Sequence, residues 1–376
     1  MKRALLVAPA LGVAVALAIT TPSAVAANLC VGPHQPCFAT LAAAVKAART
    51  GDTIKLGPGT FTGGVTISAS IDIAGAGSGR TRIRGGGPVL TIGTVDSVHE
   101  PTVSISRVTI TGGRTKGDGT KAVGGGIFIP AGGGGNGPGA NVTITDSVIS
   151  GNDVEPTVAA PLGPPCPGGK TCPYAGAYGG GIDNSGTLKL ERTTIRGNQV
   201  GGPVASDADG AGIDSDAGSV TLVDCLVTSN RATAVAPNGR FADSGGIFAE
   251  GGTLTITGSS VRNNSATLHA AMPNSVETGA VAGGIHIADH ARGSITDSTV
   301  SGNSVTMTNS VGDANAASGG VHADASLVLS NDTITNNSVT ASALGHAGGN
   351  AAGDSGAGEW AGKLTYLGSS AHCKRW

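Results

Sequence analysis

Alternation of apolar and polar residues over short segments is the dominant pattern in this chain. Leu254-Thr-Ile-Thr257 and Val142-Thr-Ile-Thr145 each alternate over four positions. This pattern predicts half-buried strands, because successive side chains of a strand point to opposite faces. A second apolar-centred segment follows each of these, and a third begins at a Gly-Ile or Gly-Val pair. The pattern therefore predicts three short strands in every block of sequence.

The block recurs six times. Its opening pairs are Gly126-Ile127, Gly181-Ile182, Gly212-Ile213, Gly246-Ile247, Gly284-Ile285 and Gly320-Val321. Its closing asparagines are Asn152, Asn198, Asn230, Asn264, Asn303 and Asn337. Three short strands cannot bury an apolar face alone, whereas stacked blocks bury a continuous core. The repeat therefore predicts an all-β solenoid, a single-stranded parallel β-helix.

Equivalent positions on stacked coils should form ladders, because coils lie about 4.8 Å apart. We expect the six closing asparagines to form an amide ladder at one corner, where Asn also tolerates the left-handed backbone that a corner needs. By parity, a second set should point inward as a small polar stack: Ser147, Thr193, Cys225, Ser259 and Ser298. Cys225 is then a structural substitute for serine.

Segments near both ends of the chain are predicted to cap the solenoid. Thr40 before residues 41–49 predicts an N-capped helix, and residues 363–367 predict a last strand.

Segments between each closing Asn and the next Gly are rich in Ala, Gly, Ser, Asp and Pro, and are predicted as variable loops on one side of the solenoid. The predicted division is a signal peptide at 1–27, an N-terminal cap and first strand at 28–60, the β-helix at 61–350 and a C-terminal cap at 351–376.

The signal prediction rests on Lys2 and Arg3, the apolar run 4–19 and the cleavage pattern Ala24-Val-Ala26. A membrane anchor is the alternative, but the apolar run is short for a span of about 20 residues. We expect a secreted, extracellular protein, free or associated with the cell wall, whose mature chain has no membrane span. A net charge of −2 provides no basic surplus for nucleic acid, so no nucleic-acid partner is expected.

Composition narrows the class further. The 64 glycines among 376 residues follow no collagen period, and a hydrophobic content of 39% argues against a disordered chain. All six cysteines follow the predicted signal. Cys30 with Cys37, and Cys166 with Cys172, could each close a small disulfide loop. Zinc is the alternative, but neither pair has the usual spacing and no histidine cluster lies nearby.

The residue after each opening pair should point outward, because the preceding Ile or Val points inward. These residues are Phe128, Asp183, Asp214, Phe248, His286 and His322. Asp183 and Asp214 fall on adjacent coils, and close carboxylates raise one pKa, which general acid catalysis can use. His286 and His322 are likewise adjacent and could bind a metal, although no third ligand is evident. A solvated ladder of polar residues is the alternative for both pairs.

Two further features are candidates for binding. An acidic cluster could hold calcium but lacks the EF-hand pattern, so we expect no cofactor, with calcium left open; its members are Asp207, Asp209, Asp214 and Asp216. Tyr174 and Tyr178 lie in the longest variable segment. They could stack on a sugar ring or pack within their own loop.

The segment Gly51-Asp-Thr-Ile-Lys-Leu-Gly-Pro-Gly-Thr-Phe61 resembles the start of right-handed β-helix proteins of the pectin-lyase-like superfamily. The Gly-Gly-Ile and Ile-x-x-Asn pair is similar to the polymorphic outer-membrane-protein repeat, which has Phe where this chain has Ile or Val. The resemblance covers about residues 38–350 and implies a right-handed solenoid with a short N-terminal capping helix.

The superfamily includes polysaccharide lyases, hydrolases and adhesins. The chain lacks the Asn-Thr-Asp, Asp-Asp and Arg-Ile-Lys motifs of polygalacturonases and the acidic cluster with an arginine base of pectate lyases. Fold alone does not imply an activity. The first interpretation is a non-catalytic, adhesin-like or glycan-binding scaffold whose partner is an extracellular polysaccharide or a cell-surface component. The alternative is a polysaccharide lyase or glycoside hydrolase that uses Asp183 and Asp214.

Overall fold

The computed structural model of the chain describes most residues after the predicted signal. The described ranges are 26–96, 99–117, 121–135, 137–157, 175–235, 240–271, 278–344, 351–353, 358–360, 364–367 and 370–371. Most of the predicted signal peptide, Cys166, Cys172, Tyr174 and Cys373 lie outside them.

Four parallel sheets contain the described strands. Sheet A consists of Asn28–Val31, Thr53–Leu56, Val65–Ile67, Asp72–Gly75, Leu90–Ile92, Thr102–Ser106, Ile127–Ile129, Asn141–Thr145, Ile182–Asn184, Thr187–Glu191, Ile213–Ser215, Ser219–Val223, Ile247–Thr257, Ile285–Thr296, Val321–Ala323, Ser326–Ser330, Gly358–Trp360 and Leu364–Leu367. Sheet B consists of Gly59–Thr62, Thr81–Arg84, Thr109–Thr111, Val148–Ser150, Thr194–Arg196, Leu226–Thr228, Ser260–Arg262, Thr299–Ser301, Thr333–Thr335 and Ser370–Ala371.

The two remaining sheets are built from the variable segments. Sheet C consists of Arg114–Gly117, Asp153–Pro156, Gln199–Gly202, Arg231–Ala234, Ser265–Ala270, Ser304–Asn309 and Ser338–Ala343. Sheet D consists of Lys121–Val123, Gly176–Tyr178, Asp207–Asp209, Phe241–Asp243, Gly279–Ala280, Ala314–Ala316 and Ala351–Gly353.

The predicted parallel β-helix is confirmed. Each strand pairs in parallel with the equivalent strand of the next coil, so Ile149 lies beside Ile195, and Ile195 beside Val227. The inward side chains of sheets A and B form a continuous core of Ile, Leu and Val, most of them fully buried. The period-two pattern of the sequence thus places one face of every strand in this central core.

The predicted asparagine ladder is also confirmed. The backbone N–H of Asn198 and its Nδ2 both donate to Asn230 Oδ1, each at 3.0 Å. The Nδ2 of Asn198 also donates to the Ile149 carbonyl of the preceding coil at 3.1 Å. Asn230 repeats this arrangement with Asn264 and Ile195. Each internal amide therefore joins three successive coils.

The left-handed residue at this corner stands one position earlier than predicted. It precedes each ladder asparagine, where positive φ values occur at Gly151, Gly197, Ser229, Asn263, Gly302 and Asn336. This frees the ladder asparagine itself to point its amide inward. Gly and Asn are the residues that adopt this conformation at least cost, which explains their frequency just before the ladder position.

A second ladder of small polar residues lines the corner between sheets A and B, as predicted. The backbone N–H of Cys225 donates to Ser259 Oγ at 3.0 Å, and the N–H of Ser259 donates to Ser298 Oγ at 3.1 Å. Cys225 Sγ lies 3.2 Å from the Val223 carbonyl, as Ser259 Oγ contacts the Thr257 carbonyl. The buried Cys225 thus occupies a serine position of this ladder.

The variable segments are not simply loops, contrary to the predicted arrangement. Their strands stack in register as sheets C and D and enclose a second core, separate from the central one. This core is built mainly from alanine, with Val200, Leu268 and Met307 among its larger members. Small side chains therefore fill most of this second core.

The N-terminus is capped as predicted. The helix Leu41–Ala47 begins after Thr40, whose Oγ1 accepts a hydrogen bond from the Ala43 N–H at 3.1 Å. Strand Asn28–Val31 pairs with Thr53–Leu56. A disulfide joins Cys30 to Cys37 with a Cα–Cα distance of 4.6 Å. Within the described part of the chain, no helix has the length and apolar character needed to cross a membrane.

The amide ladder generates a stability prediction. Asn230→Ala removes the shared acceptor of two buried Asn198 donors and leaves the Ile195 carbonyl without its amide partner. We expect the unfolding free energy to fall by about 1–3 kcal/mol, the cost of unsatisfied buried groups. Guanidinium denaturation of the purified protein would measure this.

Asn337→Ala is the matched control, because Asn337 lies at the half-buried end of the same ladder. Water can replace its hydrogen bonds, so a smaller loss is expected. Equal losses of unfolding free energy in both variants would contradict the conclusion that burial makes the internal hydrogen bonds of the ladder costly to lose.

Candidate functional site

The six residues that follow the opening pairs form one row on sheet A. The strand register places Phe128 beside Asp183, Asp183 beside Asp214, and Asp214 beside Phe248. The row continues through the pairs Phe248–His286 and His286–His322. The predicted adjacency of the two aspartates and of the two histidines is therefore confirmed.

The expectation that this row faces solvent is wrong for most of its members. Asp183 is 3% exposed, Asp214 is fully buried, and His286 is 6% exposed. Sheet D covers the row, and its connections to sheet A pass directly over the aspartates. A Cβ on Gly179 would lie 2.5 Å from Asp183 Cβ, and one on Gly210 would lie 2.7 Å from Asp214 Cβ. The side chains point out of the central core but into a second covered layer.

An open cleft lies beside this covered row. It has a volume of about 330 Å³ and contains residues of both sheet A and sheet D. Its lining residues are Tyr178, Ser206, Asp207, Asp209, Arg240, Phe241, Phe248 and Glu250. Asp183 and Asp214 do not belong to this lining, so the carboxyl groups that a ligand reaches here are Asp207, Asp209 and Glu250.

Strand pairing in sheet D brings the cleft's titratable groups together. Tyr178, Asp209 and Asp243 occupy equivalent positions on three successive strands, and Gly176, Asp207 and Phe241 occupy another set. Tyr178 Oη donates a hydrogen bond to Asp207 Oδ2 at 3.3 Å. The Asp243 N–H donates to Asp209 Oδ1 at 3.3 Å.

Burial controls the protonation of this cluster. Desolvation raises the pKa of Asp207 to about 6, although hydrogen bonding from Tyr178 and the charge of Arg240 act in the opposite direction. Desolvation, followed by the charges of Asp207, Asp243 and Asp214, raises the pKa of Asp209 well above its ordinary value. The Asp209 carboxyl therefore keeps its proton to a higher pH than an exposed aspartate does.

The same environment acts on two neighbouring groups. Burial, and then the charges of Asp207 and Asp324, raise the pKa of Asp243 well above its ordinary value. Burial, and then the nearby aspartates, also raise the pKa of Tyr178, so its hydroxyl remains a donor. The cluster thus combines a tyrosine hydroxyl donor with buried carboxyl groups whose pKa values are all raised, that of Asp207 to about 6.

Aromatic and cationic groups also line the cleft. The Arg240 guanidinium lies 5.5 Å from the centroid of the Phe241 ring, within the range of a cation–π contact. Phe248 contributes a largely buried ring from sheet A. Rings beside convergent polar groups are typical of small-molecule binding clefts.

A second cluster lies further along the row. His286 Nε2 is 3.0 Å from Asp324 Oδ2, and His322 Nε2 is 3.0 Å from Asp324 Oδ1. Hydrogen bonds from the two imidazoles hold the pKa of Asp324 well below its ordinary value. Among the described residues, this is the one group that brings three possible metal-ligand atoms within 4.8 Å of one another.

The sequence-predicted residues thus fall into separate groups. Tyr178 lines the cleft, His286 and His322 meet at Asp324, and Asp183 and Asp214 lie under sheet D. The contributions of Arg240, Asp243 and Glu250 were missed. Asp324 was also missed, although it stands two residues after His322 and therefore on the same face of that segment, which a search along the strand could have found.

Comparisons with known proteins add similarity at the level of shape only. No family model matches the chain, and no curated protein matches it significantly. Two solved structures from Azotobacter vinelandii are similar to it. One is the A-module of mannuronan C-5 epimerase AlgE4, at 11% identity and a TM-score of 0.36, covering 87% of this chain and 89% of that one. The other is the A-module of AlgE6, at 14% identity and a TM-score of 0.37, covering 87% and 92%. Similarity this low supports no inference about activity.

The buried carboxyl groups should make the stability of the protein depend on pH. The pKa values of Asp207 and Asp209 are higher in the folded chain than in the unfolded chain, where an aspartate pKa is near 3.9. Both groups therefore bind protons more tightly when the protein is folded. The folded state therefore binds more protons above about pH 4, so stability falls as pH rises from 4 through 6 and beyond. Groups with lowered pKa values, such as Asp324, act mainly below pH 4 and leave this window unaffected.

Asp209→Asn tests this assignment, because the amide keeps the shape and the acceptor oxygen but needs no proton. We expect the fall in unfolding free energy between pH 4 and pH 8 to become shallower, by up to about 1.4 kcal/mol per pH unit. Asp96→Asn, at an exposed carboxyl outside the cleft, should keep the wild-type slope. An unchanged slope in Asp209→Asn would refute the raised pKa of the Asp209 carboxyl.

Proposed function

We propose that this protein is secreted and binds a neutral saccharide unit of an extracellular polysaccharide in the cleft between sheets A and D. The observation that carries the proposal is the hydrogen-bonded Tyr178–Asp207 pair, beside Asp209, in an open cleft. Saccharides present many hydroxyl groups, which both donate and accept hydrogen bonds. Carboxyl groups and a tyrosine hydroxyl complement them, while Phe241 and Phe248 offer apolar surface to a sugar ring.

The charge of the cleft supports a neutral ligand over an anionic one. Asp207, Asp209 and Glu250 line the cleft together with a single cation, Arg240. Each carboxyl that ionises repels a uronate in a poorly screened site. Binding an anionic chain would also favour further protonation of the cluster. A neutral saccharide avoids both costs, and the predicted export signal is consistent with a polysaccharide outside the cell.

Glycoside hydrolysis is the second candidate, and one observation favours it. A general acid works best when its pKa lies near the working pH, and burial raises the pKa of Asp207 to about 6. In this case Asp207 would protonate the leaving glycosidic oxygen. The candidate acid is therefore Asp207, which lines the cleft, and not the covered pair Asp183 and Asp214.

Calorimetric titration with defined oligosaccharides tests the binding proposal. The panel contains neutral gluco-, xylo- and manno-oligosaccharides together with oligogalacturonate and oligomannuronate. We expect binding to at least one neutral series and none to the uronates. Asp207→Ala should weaken binding about 10- to 100-fold, because a hydrogen bond to a charged group contributes about 1.5–3 kcal/mol.

Asp96→Ala is the control, since it removes an exposed carboxyl outside the cleft and should bind as the wild type does. Binding that is unchanged by Asp207→Ala, or a preference for uronates, would contradict the proposal.

The same oligosaccharides separate binding from hydrolysis. If the protein hydrolyses its ligand, reducing ends appear, the rate falls above about pH 6 as Asp207 loses its proton, and Asp207→Ala abolishes turnover. If the ligand is bound and recovered intact at every pH from 4 to 8, the protein is a non-catalytic glycan-binding scaffold.

A further inference from the structure

We infer that His286, His322 and Asp324 form a binding site for a divalent transition-metal ion of the zinc type. His286 and His322 lie on adjacent strands of sheet A, and Asp324 directly follows the second of these strands. Both imidazole Nε2 atoms converge on its carboxylate. The metal site is separate from the proposed saccharide site, because none of the three residues lines that cleft.

The spacing of the ligand atoms suits a small ion. Each Nε2 lies 3.0 Å from an Asp324 oxygen, and all three ligand atoms lie within 4.8 Å of one another. Tetrahedral zinc with bonds near 2.0–2.1 Å needs ligand atoms about 3.3 Å apart. Each imidazole lies near this value from a different oxygen of the carboxylate. The remaining separations are no more than 4.8 Å, so modest side-chain rotations would bring one carboxylate oxygen and both Nε2 atoms around a single ion.

The donor set selects the class of metal. Two imidazole nitrogens and one carboxylate oxygen are ligands that zinc and neighbouring first-row metals accept, with one position left for water or a substrate. Calcium instead takes six to eight oxygen ligands. The site therefore differs in composition from the calcium alternative considered for the acidic cluster at Asp207–Asp216.

The surroundings hold the ligands in place and leave an approach for the ion. The His286 ring packs between Phe248 and His322, with centroid distances of 5.0 and 4.9 Å. His322 Nδ1 lies 3.4 Å from Ser318 Oγ, a contact through the ring nitrogen that faces away from Asp324. Such contacts orient metal-binding imidazoles in proteins. The Asp324 side chain remains 31% exposed, so an ion can enter from that side.

A site that binds no metal requires a different protonation of the two imidazoles. If Asp324 only accepts hydrogen bonds, both imidazoles must carry a proton on Nε2. Metal binding requires both Nε2 atoms to be unprotonated, so a neutral imidazole must carry its proton on Nδ1 and a doubly protonated one must release a proton. Direct titration with the metal therefore separates the two arrangements.

The test uses the untagged mature protein, freed of metal with a chelator. Zn²⁺ is titrated by calorimetry, and Co²⁺ by visible absorption, where tetrahedral coordination produces intense bands. We expect one equivalent of metal per chain and a higher melting temperature in the presence of Zn²⁺, because a ligand of the folded state stabilises it.

Two variants remove ligands and one serves as the matched control. His322→Ala and Asp324→Asn should each weaken Zn²⁺ binding at least 10-fold and abolish the thermal shift. His290→Ala removes an exposed histidine from the same strand as His286 and should behave as the wild type. Far-ultraviolet circular dichroism verifies that the variants are folded.

Failure of the wild-type protein to bind Zn²⁺ or Co²⁺ would overturn the inference without any variant. Equal binding by the wild type, His322→Ala and Asp324→Asn would also overturn it, because the metal would then lie elsewhere. Neither result bears on saccharide binding in the cleft.

Discussion

Buried asparagine amides join the successive coils of this solenoid through a continuous ladder of hydrogen bonds. An internal amide such as Asn230 accepts two hydrogen bonds from the preceding coil, donates to the next asparagine and donates to a carbonyl of the preceding coil. Because these groups are buried, an unmade bond carries a large penalty. The ladder therefore joins successive coils at the point where the chain leaves the central solenoid.

That exit point explains the second core and the site. Strands of sheet C begin directly after the ladder, as Gln199 follows Asn198 and Arg231 follows Asn230, and they stack in register. The chain returns through sheet D, which covers the row on sheet A and buries Asp183 and Asp214. The edge of this cover forms the cleft. The carboxyl groups of sheet D are thus desolvated by the same packing that completes the fold, which links the pKa shifts to the architecture.

The sequence predicts the central solenoid well and the outer layer poorly. Residues such as Ile195, Val227 and Asn230 recur in phase with strong contrast between apolar and polar positions, so the coils and ladders can be read directly. Segments such as Arg231–Ala234 and Ser265–Ala270 alternate too, but mainly between alanine or leucine and small polar residues. That contrast is too weak to distinguish a strand from a loop. Asp207 and Asp209 were therefore interpreted as a loop cluster, and the covering of Asp183 and Asp214 could not be foreseen.

We conclude that the variable segments form a folded layer that begins at the asparagine ladder. Native-state hydrogen exchange, read by mass spectrometry of peptides covering residues 199–202, 231–234 and 265–270, would measure the stability of this layer. We expect backbone amides in these strands to exchange slowly, at rates comparable with those of sheet B, because both are paired in parallel ladders. Exchange at the rate of exposed loops, with sheet B still protected, would contradict it, since the cover over the row and the wall of the cleft would then be lost.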